Sequence, residues 1–441
     1  GAELARYATC EDPSRTAVDL NGDCWVGCRG DGKAAKIALD PADCVDKNGN
    51  GVVETSMDSN GNGTIEPSEM LPEGADECVL FVVKPDPDPD NLKVRAVAVD
   101  KDNYGWIGYF FARTIYRLDP EDGSVVASAN LTGDTLGQPY GFAFDQLGKL
   151  WVSLRGEPGA RALGRLDPST VPYGVDIFPT PNDHNAYGLA VDPKGRVWLA
   201  SGEQKNVSAL DPLTGTWTTF ELPSSPFTRG VAIATDGMVY VAHNTWTGGC
   251  GDYHEITVLD SNTMEVSGSI DIAIDNLELA PVGLAIDFSD YLWSINQCSS
   301  TVSKIDRQTG EVMGEFPVGQ NPYTYSDMTG FALKTVVAPE GTYTHIFEGW
   351  KGLETLWIQL LVYSLTPGES FYELRHRTAD TVDALPLAAW SDVLGPFPPA
   401  SMPIDLAADG DMTGGFLQVE IRLVSDEDGN TPLIQAIKVI A

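Results

Sequence analysis

Residues 187–222 read YGLAVDPKGRVWLASGEQKNVSALDPLTGTWTTFEL, and this stretch decides the fold. Its apolar residues fall into four short runs, at 188–192, 197–200, 207–211 and 216–222. Gly, Pro and Asp separate the runs, and apolar and polar residues alternate within them, which is typical of strands joined by tight turns. The stretch therefore predicts a four-stranded antiparallel sheet.

The same unit recurs along the chain. An aspartate precedes a tryptophan by six positions at Asp19/Trp25, Asp100/Trp106, Asp145/Trp151, Asp192/Trp198 and Asp287/Trp293. Ala234 and Tyr240 form a weaker copy. The unit repeats after 45 residues between Asp100 and Asp145, and after 47 between Asp145 and Asp192. A four-stranded unit with a period in the forties predicts a β-propeller, since one blade cannot bury both of its faces alone.

The fold class is therefore all-β, and we predict a seven-bladed propeller, with six blades as the alternative. The N-terminus resembles residues 310–316, the fourth strand of a repeat, and residues 330–336 resemble a seventh first strand. Residues 3–8 and 330–336 would then share one blade and close the ring. The remaining strands of that blade would come from residues upstream of Gly1 or from a partner chain. In the six-bladed alternative the extra strand decorates a closed ring.

A second domain is predicted after the propeller, which occupies residues 1–337. Residues 338–441 lack the repeat and contain strand-like segments at 355–363, 370–377, 416–424 and 433–440. Roughly a hundred residues of this kind, with proline-rich loops, predict a β-sandwich accessory domain. Its tryptophans Trp350, Trp357 and Trp390 are either core residues or a platform for carbohydrate.

Residues 41–78 form an insertion in the first complete repeat, and it contains two calcium-loop motifs. Oxygen-bearing residues alternate in both loops, as calcium requires. The candidate ligands are Asp46, Asn48, Asn50, Val52 and Glu54 in the first loop, and Asp58, Asn60, Asn62, Thr64, Glu66 and Glu69 in the second. Glu69 completes the second loop at position 12, but Met57 stands there in the first, which leaves Asp58 as a ligand that both loops could share. Asn-Gly turns also occur in plain hairpins, but two in this register predict structural calcium.

The seven cysteines indicate an oxidising compartment, because none has the Cys-x-x-Cys or Cys/His spacing of a metal site. Cys44 and Cys78 bracket the insertion and are predicted to form a disulfide. Cys250 and Cys298 follow second strands of adjacent repeats and form a predicted second pair. Among Cys10, Cys24 and Cys28 one is left unmatched, either as a free thiol or because its partner lies upstream.

The charge excludes two classes of partner. The 441 residues carry a formal net charge of −35, which would repel nucleic acid and an anionic membrane face. No run of eighteen apolar residues occurs, so the sequence predicts no membrane span.

A ligand site is predicted at one end of the axial channel, where first strands start and second strands end. The candidate ligand-binding residues there are Arg95, Tyr140, Tyr187, Arg229 and Asn244. Arginines in so acidic a protein could receive an anionic or sugar ligand, or they could pair with neighbouring carboxylates. His184, His243 and Glu203 are weaker candidates for acid–base catalysis or for a second divalent metal in the channel. The alternative is that these histidines are ordinary loop residues.

The repeats, with Gly188-Leu-Ala-Val-Asp192 and Gly195-Arg-Val-Trp198 as their best copy, resemble the streptogramin (virginiamycin B) lyase and NHL-repeat propellers over residues 2–335. The resemblance implies a Mg²⁺-dependent lyase with a His/Glu/His constellation near the channel. No Glu-x-His element is found, and Tyr253-His254-Glu255 has the reverse order. The Asn-Gly-Asn-Gly insertion and the C-terminal domain resemble secreted or surface proteins of myxobacteria and related bacteria.

Three functions follow as hypotheses. The first is a secreted, periplasmic or cell-surface binding or structural protein, stabilised by calcium, with protein or carbohydrate as its partner. The second is a channel-site enzyme, a lyase or a lactonase-like hydrolase, and a divalent metal in the channel would favour it. The third is a subunit of a larger surface assembly. Because the lyase constellation is not matched, the sequence favours a protein without catalysis.

Overall fold

The computed structural model describes residues 3–131, 137–222, 227–244, 253–274, 279–337, 340–368, 370–397, 403–406, 412–425 and 432–441. The chain forms two compact units, Gly1–Val337 and Ala338–Ala441. Strands dominate both, so the predicted all-β fold class is confirmed. In the part of the chain that the structure describes, no helix has the length and apolar character needed to cross a membrane.

The first unit contains, within the described residues, six four-stranded antiparallel sheets, each made of four consecutive strands. The first three sheets are β1 (Pro13–Val18), β2 (Cys24–Cys28), β3 (Ala34–Ile37), β4 (Val79–Val83); β5 (Val94–Val99), β6 (Gly105–Tyr109), β7 (Thr114–Leu118), β8 (Val125–Asn130); and β9 (Gln138–Phe144), β10 (Leu150–Arg155), β11 (Ala162–Leu166), β12 (Val175–Pro179). The next three are β13 (Ala186–Val191), β14 (Val197–Ser201), β15 (Asn206–Asp211), β16 (Thr216–Glu221); β17 (Thr228–Ile233), β18 (Met238–His243), β19 (Glu255–Asp260), β20 (Glu265–Asp271); and β21 (Pro281–Ile286), β22 (Tyr291–Asn296), β23 (Thr301–Asp306), β24 (Val312–Pro317).

The first strand of every sheet is innermost. Neighbouring first strands contact one another in the order β1, β5, β9, β13, β17 and β21. Strands β5 and β21 are buried at every position, whereas the fourth strand β20 is almost entirely exposed. Radial sheets around buried inner strands are blades of a β-propeller, as the repeats predict.

The aspartate–tryptophan spacing has a hydrogen-bonding cause. The Trp106 Nε1 donates to Asp100 Oδ2 at 2.9 Å, while the other oxygen of Asp100 accepts backbone N–H groups of the turn that follows. The same tryptophan bond forms at Asp145/Trp151, Asp192/Trp198 and Asp287/Trp293. In the first blade Lys36 instead pairs with Asp19 at 3.1 Å. In these four blades the aspartate therefore fixes its turn and orients the tryptophan of the second strand.

The ring closes differently from the prediction. Residues 323–327 pass between β21 and β1: the Val18 N–H donates to the Asp327 carbonyl at 3.2 Å, and Thr16 Oγ1 lies 3.2 Å from Thr324 Oγ1. The chain then forms the helix α1 (Phe331–Val337). The predicted seventh first strand over residues 330–336 is therefore wrong.

The half-buried Asp327 explains this helix. Its carboxylate accepts the backbone N–H groups of Gly330 and Leu333, both at 2.9 Å. A side-chain oxygen that accepts such groups caps the N-terminus of a helix and opposes an extended strand. Burial raises the pKa of Asp327, and the backbone hydrogen bonds oppose that rise.

The N-terminal segment does not form the predicted strand either. Residues 3–8 carry no strand. The Glu3 N–H donates to the Gly63 carbonyl at 3.1 Å, and Glu3 Oε2 accepts the Ile65 N–H at 2.8 Å. The segment therefore binds to the insertion instead of completing a shared blade.

Within its described residues, the second unit contains two antiparallel sheets. Its strands are β25 (Glu340–Glu348), β26 (Gln359–Leu365), β27 (Phe371–Ala379), β28 (Leu394–Phe397), β29 (Ile404–Asp405), β30 (Phe416–Val424) and β31 (Leu433–Ile440). One sheet has the order β25-β30-β27-β28 and the other β29-β26-β31. Both sheets contribute to one core with Trp357, Leu360, Tyr372 and Val419, as in a β-sandwich. Short 3₁₀ helices in the two units are Pro41–Asp43, Pro181–Asp183, Gly352–Glu354 and Val382–Leu387.

Of the three tryptophans considered for carbohydrate, Trp357 is a core residue whose Nε1 donates to the Gly414 carbonyl at 3.1 Å. Trp350 is exposed. Trp390 is covered by the guanidiniums of Arg375 and Arg377. They do not share one environment, so a three-tryptophan platform is not formed.

Candidate functional site

A group of arginines and tyrosines fills one end of the propeller axis. We call it the arginine–tyrosine cluster, and its members are Arg15, Arg95, Arg155, Arg229, Tyr140, Tyr187, Tyr323 and Tyr325. Arg95, Tyr140, Tyr187 and Arg229 lie near the start of inner strands, and Arg155 ends a second strand. This is the end of the channel at which the sequence predicts a ligand site.

Aromatic and hydrogen-bond contacts hold the cluster together. The Arg15 guanidinium carbon lies 3.5 Å from the centre of the Tyr325 ring, and Arg15 Nε donates to the Arg95 carbonyl at 2.9 Å. Arg95 lies over the Tyr140 ring and donates to its hydroxyl. The Tyr187 hydroxyl shares a hydrogen bond with that of Tyr323. Arginines stacked on aromatic faces are favourable even when buried.

The cluster carries unusual charges. Arg15 and Arg95 are buried, and neither forms an ion pair with a carboxylate among the described residues. Burial, and next the charge of Arg95, lower the pKa of Arg15 to about 10. Burial alone would raise the pKa of Tyr140, but the guanidiniums of Arg95, Arg15 and Arg155 lower it to about 7. The Tyr140 hydroxyl is therefore far more acidic than that of an ordinary tyrosine.

The axis below the cluster is not an open channel in the part of the chain that the structure describes. It contains a cavity of about 100 Å³, lined by apolar residues of all six inner strands. Tyr325 borders the cavity on the cluster side, and Ala332 and Leu333 of α1 also line it. Apolar inner-strand residues form most of the lining, and Ser326, Asp327 and Thr329 add polar groups to it, so the axis is mainly an apolar core.

A larger pocket opens beside the cluster, and we call it the mouth pocket. Its volume is about 370 Å³. It is lined by Lys93, Arg95, Phe110, Gln138, Tyr140, Arg155, Gly156, Glu157, Arg161, Asn185 and Glu203. These residues come from the second, third and fourth blades. Volumes in this range are typical of small-molecule sites.

The predicted ligand residues are only partly brought together. Arg95 and Tyr140 line the mouth pocket, and Tyr187 and Arg229 contact each other in the arginine–tyrosine cluster. Asn244 lies elsewhere, where its amide donates to the Ala280 carbonyl at 3.2 Å between the last two blades. Sequence reasoning missed Arg15, whose position at the start of an inner strand matches that of Arg95.

The weaker catalytic candidates are held apart. His184 is buried, with Nε2 2.9 Å from Asn206 Nδ2 and Nδ1 3.1 Å from Ser208 Oγ. His243 is buried, its Nε2 is 2.7 Å from Thr257 Oγ1, and burial lowers its pKa to about 4. Only Glu203 lies in the mouth pocket. Both histidines make structural hydrogen bonds within blades.

The two loops of the insertion have the same geometry. Asp46 Oδ1 accepts the Gly49 N–H and Asp46 Oδ2 accepts the Gly51 N–H, at 2.7 and 2.8 Å. Asp58 accepts Gly61 and Gly63 in the same way, both at 2.7 Å. The glycines have φ values of 70° and 85° in the first loop, and 75° and 86° in the second. Such left-handed positions favour glycine.

The sequence places candidate oxygen ligands in the same order in both loops. In the second loop these are the side chains of Asp58, Asn60, Asn62, Glu66 and Glu69, with the carbonyl of Thr64. In the first they are Asp46, Asn48, Asn50 and Glu54, with the carbonyl of Val52. An all-oxygen donor set of this kind fits calcium.

Sequence reasoning missed one member of the first loop, Glu77. Glu69 Oε1 accepts the Ser59 and Asn60 N–H groups, and its Oε2 accepts the Glu66 N–H. Glu77 makes the equivalent bonds in the first loop: its Oε1 accepts the N–H groups of residues 47 and 48, and its Oε2 that of residue 54. Glu77 thus takes the role of the glutamate at position 12, where the sequence of the first loop has Met57. The signal available in the sequence was a glutamate directly before the bracketing Cys78.

Disulfides anchor the insertion and the first blade. The predicted Cys44–Cys78 bond is confirmed, with Cα atoms 4.3 Å apart. Cys10 bonds to Cys28, and Cys24 carries a thiol whose pKa burial raises to about 12. Cys298 is disulfide-bonded, and its predicted partner, Cys250, lies outside the described residues.

Solved structures share this architecture. Virginiamycin B lyase from Staphylococcus aureus is 15% identical, with a TM-score of 0.52 over 71% of this chain and 87% of that one. A streptogramin B lyase is also 15% identical, with a TM-score of 0.54 over 73% and 89%. Hydrazine synthase of Kuenenia stuttgartiensis is 12% identical, with a TM-score of 0.51 over 74% and 92%. These likenesses confirm a lyase-like β-propeller fold.

Neither the family models nor the curated proteins contain a match to this sequence.

Proposed function

We propose that this chain is a binding protein that calcium stabilises and that takes up its ligand in the mouth pocket of the propeller. It acts in an oxidising compartment outside the cytoplasm, as a secreted, periplasmic or cell-surface protein. The observation that carries the proposal is the equivalence of the two insertion loops, each with a glutamate, Glu69 or Glu77, that accepts the same three backbone N–H groups. Each loop offers only oxygen ligands, which suit a hard cation.

The disulfides support the compartment. Cys10–Cys28 and Cys44–Cys78 are typical of proteins that leave the reducing cytosol. The second bond closes the insertion beside Glu77, so oxidation and calcium would act on the same segment. A loop closed by about 35 residues is stabilised by roughly 3–4 kcal/mol in the chain-entropy model.

Calcium binding is tested by titration calorimetry on the intact protein. We expect two calcium ions per chain, and about 2.7 kcal/mol of added stability per site at a hundredfold excess over the dissociation constant. Glu77→Gln and Glu69→Gln should each remove or weaken one site. The matched control is Glu73→Gln, because Glu73 is exposed and pairs with Lys33. This variant should still bind two calcium ions.

Two results would contradict the calcium proposal. One is an absence of calcium heat in the wild-type chain. The other is a first site that survives Glu77→Gln at full affinity, because Glu77 would then be only a hydrogen-bond acceptor of the insertion.

A second candidate function, a channel-site lyase or lactonase-like hydrolase, is favoured by one observation. Tyr140, with its pKa of about 7, lines the mouth pocket and could accept a proton from a bound substrate. His184 and His243 would take no part, because both are engaged within blades. Turnover abolished by Tyr140→Phe would favour the enzyme over the binding protein.

A further inference from the structure

We propose that the mouth pocket binds a small organic acid, with its carboxylate or phosphate group on the guanidiniums of Arg95 and Arg155 and an apolar ring against Phe110 and Tyr140. This inference names the ligand class of the proposed binding function and therefore rests on it.

The charge of the pocket selects an anion. Lys93, Arg95, Arg155 and Arg161 line it against two carboxylates, Glu157 and Glu203. The positive side chains thus exceed the carboxylates by two, and still by one where the Tyr140 hydroxyl is ionised, although the whole chain carries −35. A local positive region on an acidic protein concentrates anionic ligands and holds them by charge-assisted hydrogen bonds.

Arg95 is the strongest single indication. It is only 9% exposed, and one of its terminal nitrogens donates to the Tyr140 hydroxyl. Its Nε has no hydrogen-bond partner among the residues that the structure describes. A buried guanidinium without a carboxylate partner is unfavourable, and an oxyanion in the pocket that Arg95 lines would supply its counter-charge.

Glu203 shows that the pocket already holds an oxyanion of the protein itself. Its Oε1 lies 2.8 Å from Arg155 Nη2, and its Oε2 lies 3.7 Å from Arg161 Nη2. The side chain is 41% exposed, so it can move into solvent when another anion enters. Glu203 therefore competes with the ligand, and its removal should strengthen binding.

The aromatic wall selects the rest of the ligand. The Phe110 and Tyr140 rings lie 5.7 Å apart in an edge-to-face arrangement, and both border the pocket. A volume of about 370 Å³ accommodates one ring and an acidic group. The axial cavity of about 100 Å³ is smaller, and apolar inner-strand residues form most of its lining, with no arginine or lysine among the described lining residues.

The test is titration calorimetry of the calcium-loaded intact chain with phenyl phosphate and with benzoate, and with benzyl alcohol as the neutral probe. We expect both anions to bind and the alcohol not to bind. Arg95→Gln should weaken anion binding at least tenfold, and Glu203→Gln should strengthen it severalfold. Arg165→Gln, which removes an arginine paired with Asp176 outside the pocket, should change neither affinity.

The opposite signs expected for Arg95→Gln and Glu203→Gln exclude a general loss of folding as the cause. If Arg95→Gln does not fold, Lys93→Gln at the half-exposed rim replaces it, with the same expected direction. The inference is overturned if neither anion binds, if benzyl alcohol binds equally well, or if Glu203→Gln weakens binding. If any of these results is obtained with a chain that still binds calcium, the proposed ligand class is wrong and the calcium proposal is unaffected.

Discussion

At the scale of single residues, Tyr140 and Tyr187 show how neighbours set acidity. Both are buried, and their rings are 4.8 Å apart. The guanidiniums around Tyr140 lower its pKa against the effect of burial, whereas burial, and next Tyr140 itself, raise that of Tyr187. A phenolate on Tyr140 would offset the charge of Arg15 and Arg95, which pair with no carboxylate among the described residues, whereas Arg155 already pairs with Glu203.

This acidity predicts a pH dependence of stability. The pKa of Tyr140 is about 7 in the folded chain and about 10 in the unfolded chain. The stabilisation of the folded chain by the ionised Tyr140 hydroxyl is therefore complete above pH 10, and it is lost as the pH falls through 7. We expect one tyrosinate to appear in the near-ultraviolet absorbance near pH 7, and the free energy of unfolding to rise between pH 7 and 9.

Tyr140→Phe should abolish both effects. Tyr116→Phe is the control, because burial raises the pKa of Tyr116 to about 12 and it takes no part near neutrality. If the wild-type chain shows no tyrosinate absorbance below pH 9, the charge assignment of the cluster is wrong.

At the scale of elements, glycines let inner strands approach one another. A Cβ on Gly283 in β21 would overlap the carbonyl oxygen of Thr324, and one on Gly188 in β13 would overlap that of Arg229. The segment 323–327 can lie beside β21 only because residue 283 has no side chain. Closure of the ring therefore depends on a glycine that recurs at the same position in four of the six first strands, as Gly141, Gly188, Gly230 and Gly283.

Gly283→Ala should consequently destabilise the first unit by about 1–3 kcal/mol, since backbone must shift to admit the methyl group. Gly174→Ala is the matched control, because a Cβ there meets nothing within 4 Å and its φ is not left-handed. Denaturant unfolding measures both variants. If Gly283→Ala and Gly174→Ala have equal free energies of unfolding, residues 323–327 do not pack closely against β21.

At the scale of the whole molecule, the two units have separate cores. The propeller cores and the Trp357 core share no residue, and the two insertion loops belong to the first unit alone. Domains with their own cores unfold as separate cooperative units.

Differential scanning calorimetry should accordingly show two transitions. Removing calcium with a chelator should lower only the transition of the propeller, by about 2–4 °C for each kcal/mol lost. A chain carrying Glu69→Gln and Glu77→Gln should show that lower transition with or without calcium. A single transition, or equal shifts of both transition temperatures on calcium removal, would show that the two units do not unfold independently.

The sequence by itself determined the blades, the two calcium-loop motifs and the Cys44–Cys78 bond. The blades follow from contacts over short distances along the chain, such as the bond between Asp100 and Trp106 six residues later. The loops likewise repeat a pattern in which one aspartate accepts backbone groups three to five residues away. Local hydrogen bonds of this kind leave a fixed spacing that can be read directly.

Only the tertiary structure decided how the ring closes, where the arginines meet and which glutamate completes the first loop. Arg15 contacts Tyr325 across 310 residues, and Glu77 reaches Asn48 across 29. Whether residues 330–336 form a strand or a helix depended on Asp327, because its side chain caps the helix. An alternation of apolar and polar residues does not show that effect. Contacts between distant segments leave no periodic trace in the sequence, because any spacing will serve once the fold brings the two residues together.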